Sequence, residues 1–61
     1  MSVKRGMEWS EVLKVRDDFV LESVDEEYGI EYWEGQSYDG GLLSVEVKDG
    51  KVDDVQCGEW G

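Results

Sequence analysis

Asp18, Glu22, Asp25 and Glu26 are the residues whose type and spacing point most directly to chemistry. On a helix, carboxylates at i, i+3/i+4 and i+7/i+8 form a line with steps of about 5–6 Å. Such a line of negative charge resembles the phosphates along one nucleic-acid strand. Glu31, Glu34 and Asp39 extend the row from the segment that follows, and Glu27 belongs to the same acidic stretch. A groove built for DNA or RNA would take this surface as its ligand, through an attraction that is long-ranged and weakened by salt. The expected partner-binding set is therefore Asp18, Glu22, Asp25, Glu26, Glu27, Glu31, Glu34 and Asp39.

Other chemistries find less support. The chain has no histidine, so histidine catalysis and His-ligated metals are impossible. Paired carboxylates can run acid–base or glycosidase reactions, but one of them must be desolvated to split the pKa values. A chain of 61 residues leaves little room for such a pocket. The stretch GQSYDGG, residues 35–41, lacks the P-loop lysine and a following helix, so it reads as a loop hinged at Gly40-Gly41. The run Asp25-Glu26-Glu27 lacks the EF-hand alternation of ligands around a central Gly. Cys57 stands alone, which rules out an intramolecular disulfide and suits a small core residue. No enzyme activity, no cofactor and no dedicated metal site are expected.

The charge balance sharpens this. Sixteen acidic and six basic side chains give a net charge of −10, in a chain sized for one small domain over residues 1–61. That balance argues against direct nucleic-acid binding and against attraction to an anionic membrane. Neither a signal peptide nor an apolar span is visible, the single cysteine suits a reducing cytoplasm, that of the host cell, and self-repulsion of the acidic residues argues for a monomer. From Asp17 to Val47 there are ten acids and no Lys or Arg; elsewhere six acids balance six bases. The net charge thus belongs to the central segment. Three Trp, three Tyr and one Phe mark a folded core rather than a disordered acidic tail.

The elements that must position these acids follow from periodicity. Val20, Leu21, Val24 and Tyr28 fall within about 100° of helical arc, with Asp18, Glu22, Asp25 and Glu26 opposite. With Asp17 as N-cap and Gly29 as the stop, this predicts an amphipathic helix over 18–28. A strand over 19–26 is the competing reading. Leu43, Val45 and Val47 alternate with polar residues, and Asp49-Gly50 supplies a type I′ hairpin turn. The turn pairs Val47 with Val52, and strict pairing would set Asp54 against Val45. A bulge at Asp53-Asp54 restores Val55 to Val45 and Cys57 to Leu43. Residues 30–34, IEYWE, read as a strand with Tyr32 and Trp33 on opposite faces. Residues 11–15 are either a strand or the end of a short helix opened by Ser10. Tyr38 and Trp60 are further aromatic candidates for contact. The fold class is α+β, one amphipathic helix packed on a small antiparallel sheet of three to four strands.

In size, in the one-sided charge of residues 17–47 and in its aromatic content, the chain resembles the small acidic inhibitors of phages and mobile elements. These include anti-CRISPR, anti-restriction and DNA-glycosylase-inhibitor proteins. Glu22-Ser23-Val24 is similar to the Glu-Ser-Ile stretch that uracil-DNA glycosylase inhibitors insert into a DNA groove, although here the stretch falls in the predicted helix. VEVKDGKVDDV resembles a hairpin of flavin-binding domains, without that family's Thr-containing attachment motif. The first resemblance implies an inhibitor seated in the basic DNA-binding channel of a host defence protein or ribonucleoprotein, foremost a Cascade-type complex. The alternative is an acidic interaction module, such as an antitoxin or polymerase-binding regulator, anchored by an apolar or aromatic patch. A third reading of the acidity is adaptation to high salt.

Overall fold

The computed structural model describes residues 2–37 and 40–57. One helix, α1 (Trp9–Val15), precedes four strands: β1 (Val20–Asp25), β2 (Ile30–Gln36), β3 (Leu42–Lys48) and β4 (Lys51–Cys57). The strands form one antiparallel sheet in the order β1-β2-β3-β4. The α+β class holds, with one short helix and four strands.

The β3–β4 hairpin has the expected turn and register. Asp49 and Gly50 take positive φ, 53° and 76°, as a type I′ turn requires. Val47 pairs with Val52, Val45 with Val55 and Leu43 with Cys57. The register shifts between Glu46, paired with Asp54, and Val47, which leaves Asp53 as the extra residue of the bulge. Leu43, Val45, Val47 and Val52 are buried on one face. Cys57 lies opposite Leu43 but is exposed, contrary to its expected place in the core. It ends an edge strand, which has a neighbouring strand on one side only among the described residues.

Helix α1 covers that apolar face. Its seven residues put Trp9 and Val12, three apart, on one stripe. Glu11 in the first turn and Lys14 in the last complement the helix dipole. Glu8, not Ser10, holds the N-cap position, without a side-chain cap. The core joins Trp9, Val12 and Phe19 to the four buried sheet residues, with Trp33 and Val55 packed at its margin. The Trp9 ring meets Phe19 edge-on at 5.0 Å and lies 5.3 Å from Trp33. Phe19 in turn crosses β2 where Gly35 leaves space. A Cβ on Gly35 would come within 2.7 Å of the Phe19 ring.

The helix expected over 18–28 is not formed. Residues 20–25 are strand β1, as in the competing reading, and residues 26–29 turn into β2. The physical reason is a bulge. Leu21 pairs with Trp33 and Ser23 with Tyr32, so Glu22 is extra. One inserted residue puts Leu21 and Val24, three apart, on the same face, which imitates a helical period. The end signals were equally ambiguous. Asp25 accepts from the backbone N–H groups of Glu27 (3.1 Å) and Tyr28 (3.3 Å), and Gly29 has φ +67°. An Asx-turn with a left-handed glycine closes a hairpin as readily as it ends a helix.

Candidate functional site: the open face of the sheet

Helix α1 covers one face of the sheet, the other face is open among the described residues, and pairing fixes what it carries. Directly paired residues of antiparallel strands share a face, with strands about 4.8 Å apart and same-face residues about 7 Å apart along a strand. One row reads Val20, Glu34, Ser44, Gln56, and the next Ser23, Tyr32, Glu46, Asp54. A third row holds Asp25, Ile30, Lys48 and Lys51. Trp33 faces the helix and Tyr32 the open side, as the alternation predicts. None of these side chains is buried.

Glu22, the bulge residue, reaches across to Glu34. In its protonated form the Glu34 carboxyl shares a hydrogen bond with Glu22. That bond, then desolvation, then the Glu22 charge hold Glu34 above the usual carboxylate range. Glu22, Tyr32, Glu34, Ser44, Glu46 and Gln56 line one shallow groove. Asp54 borders it and accepts weakly from Gln56 Nε2 at 3.5 Å. Four carboxylates, of Glu22, Glu34, Glu46 and Asp54, thus share this face with Tyr32, with Lys48 and Lys51 confined to the far row. The spacing between neighbouring rows and strands is of the order found between phosphates of a nucleic-acid strand.

The remaining sequence-derived acids have other places. Asp18 is engaged by its own fold. Its Oδ1 accepts from Arg16 Nε at 2.8 Å, and its Oδ2 from Arg16 Nη2 at 2.7 Å and Gln36 N–H at 2.9 Å. The Arg16 hydrogen bonds first, then that from Gln36, hold Asp18 far below the usual carboxylate range, and the same pairing raises Arg16. Arg16 also donates to the Gln36 carbonyl at 2.6 Å and lies 4.7 Å from the Phe19 ring centroid. This clamp ties the start of β1 to the end of β2. Asp25 caps its turn, and Glu26 and Glu27 are exposed on that turn. Glu31 accepts from Trp33 Nε1 at 3.1 Å on the helix side. It lies three residues from Glu34 in a strand, so the two point to opposite faces and cannot form one row. Asp39 lies outside the described residues, as do Tyr38 and Trp60.

Of the expected residues that the structure describes, the fold therefore brings only Glu22 and Glu34 together on the open face, with Asp25 at its edge. Glu46 and Asp54 were missed as site residues. Their signal was present in the hairpin itself, since whatever alternates with Leu43, Val45, Val47 and Val55 must face away from the core.

Chemically, the face presents negative charge to cationic groups. The described residues contain no group of three or more Asp, Glu or Cys placed to hold a metal ion. No helix among them is long and apolar enough to cross a membrane. Comparison with protein-family models, with curated proteins and with solved structures finds no match to this chain.

Proposed function

We propose that this domain acts by binding, and that its open sheet face is a charge mimic of nucleic acid. It would occupy the basic DNA-binding channel of a host defence complex and block loading of the true ligand. The observation that carries this reading is that Glu22, Glu34, Glu46 and Asp54 share one face of the sheet with Tyr32. The Glu22–Glu34 contact opposes folding, because two carboxylates crowd each other. A cationic partner turns that repulsion into attraction. Glu22-Ser23-Val24 lies extended in β1 at the sheet edge, not in a helix, and so has the conformation of a segment able to enter a groove.

The resemblance to phage inhibitors directs the first test to a Cascade-type surveillance complex. Binding of the purified protein is measured over a salt series and in competition with duplex target DNA. The reading expects affinity to fall steeply with salt and DNA to displace the protein. Binding that tolerates salt and coexists with DNA would refute it.

A second reading has its own observation. Val20, Leu21, Val24 and Tyr28 are exposed by 59%, 43%, 49% and 62%, all on β1 or the turn after it. They suit an interaction module whose affinity comes from apolar contact while charge only steers. Truncating Leu21 and Val24 to Ala would abolish binding in that case and leave the salt dependence shallow.

A further inference from the structure

We propose that the outer edge of β1 docks an extended cationic segment of a partner protein, which joins the sheet as a fifth strand. The proposal rests on the acidic-face reading for the sign of the partner's charge and goes beyond it in naming the mode of attachment. Strand β1 ends the sheet, so alternate residues turn their N–H and C=O groups away from β2, where no further strand lies among the described residues. The opposite edge is treated differently. There the N-terminal segment bonds to β4 and its turn, through Gly6 N–H to the Val52 carbonyl (2.7 Å), Val52 N–H to the Met7 carbonyl (2.9 Å) and Trp9 N–H to the Gly50 carbonyl (2.8 Å). The edge left open also carries the exposed Val20, Leu21 and Val24.

Charge decides the occupant. Asp17, Glu22, Asp25, Glu26 and Glu27 flank or belong to this edge, Asp18 being paired with Arg16, and residues 17–27 contain no Lys or Arg. A second copy paired through β1 would set this acidic segment against itself, and like charges across strands are destabilising. A cationic strand is attracted by the same groups. The pleat then dictates its pattern. Apolar residues fall on the helix side beside Leu21 and Val24, and Lys or Arg on the open side beside Glu22 and Asp25. Main-chain hydrogen bonds supply the affinity and the alternation supplies the selectivity.

The test uses a short synthetic peptide of alternating Lys and Val, titrated into the isotope-labelled full chain and followed by NMR. A second peptide has the same sequence and charge, with every other backbone nitrogen methylated to remove one edge of donors. Expected are shift changes centred on residues 20–25, slower amide exchange within β1, and binding at least tenfold weaker for the methylated peptide. Equal binding of the two peptides would overturn strand addition and leave the acidic-face reading standing. Shifts confined to Glu34, Glu46 and Asp54, or no binding of either peptide, would overturn it too. So would β1 protection that grows with protein concentration alone, which would identify a second copy as the occupant. Methylation-sensitive binding that ignores salt would uphold the edge and count against the acidic-face reading.

Discussion

Replacing Gly35 by alanine tests whether Phe19 is seated on β2 as described. The new Cβ would lie 2.7 Å from both Cδ1 and Cε1 of Phe19 and 3.0 Å from Asp18 Oδ2. Carbon atoms in comfortable contact are about 3.5–4.0 Å apart, so the ring must retreat by about 1 Å. It has little freedom to do so. Trp9 holds it edge-on at 5.0 Å, and the Arg16 guanidinium lies 4.7 Å from its centroid while bound to Asp18. Overpacking of this kind costs about 1–3 kcal/mol. Alanine also restricts the unfolded chain, which returns about 0.4–1 kcal/mol. The overpacking cost is the larger, and a net loss of about 1–2 kcal/mol follows. In a domain of this size that lowers Tm by roughly 5–15 °C. Thermal unfolding followed by tryptophan fluorescence reads the change directly, since Trp9 and Trp33 flank the site. Phe19→Leu alone should also destabilise, by leaving space. Combined with Gly35→Ala it should cost less than the sum of the two by about 1 kcal/mol. A neutral Gly35→Ala variant, or strict additivity with Phe19→Leu, would refute the packing argument.

Other expectations concern the clamp, the acidic pair, the core and the bulge. Asp18 has a folded pKa below its unfolded one. Its stabilisation is therefore present above the usual carboxylate range and lost as pH falls toward the depressed value. Asp18→Asn should lower Tm at pH 7 and flatten the acid limb of the stability profile. Glu34 has the opposite sign, so its favourable contribution is present at low pH and lost as pH rises through its raised pKa. Glu34→Gln should accordingly raise Tm at pH 7 while weakening partner binding, measured on the same preparation. Val12, fully buried, should cost about 2 kcal/mol as Val12→Ala in chemical denaturation. Deleting Asp53 should be tolerated, because it removes the bulge and keeps Val55 opposite Val45. Deleting Asp53 and Asp54 together should unfold the domain, because it reverses the faces of the rest of β4. Circular dichroism melts separate the two deletions.

The parts of this fold that were legible in the sequence are those set by local pairing. The hairpin of β3 and β4, its I′ turn and its bulge follow from the alternation of Leu43, Val45 and Val47 and from the mismatch that Asp54 would create. Strand β2 and the opposite facing of Tyr32 and Trp33 were equally local. Residues 20–25 misled because Glu22 bulges, giving Leu21 and Val24 the spacing of a helix. Helix α1 has only two buried residues, Trp9 and Val12, too few for periodicity to choose helix over strand. The site shares this division. Glu22 belonged to the expected set for the right charge on the wrong element, whereas Glu34 was expected on the strand it occupies but in a row with Glu31, which faces the other way. Asp18 looked equally available, because nothing in its local spacing reveals that Gln36, eighteen residues on, donates to it.

The central claim is that place, not total charge, makes the binding surface. It is tested most directly by two variants of equal net charge. One neutralises the open face, as Glu22→Gln, Glu34→Gln and Glu46→Gln. The other removes three exposed carboxylates elsewhere, as Glu8→Gln, Glu11→Gln and Asp49→Asn. Affinity for the target complex is compared at one ionic strength. The account predicts a loss of at least about tenfold for the open-face variant and a change of no more than about threefold for the other. Equal losses in the two variants would contradict it.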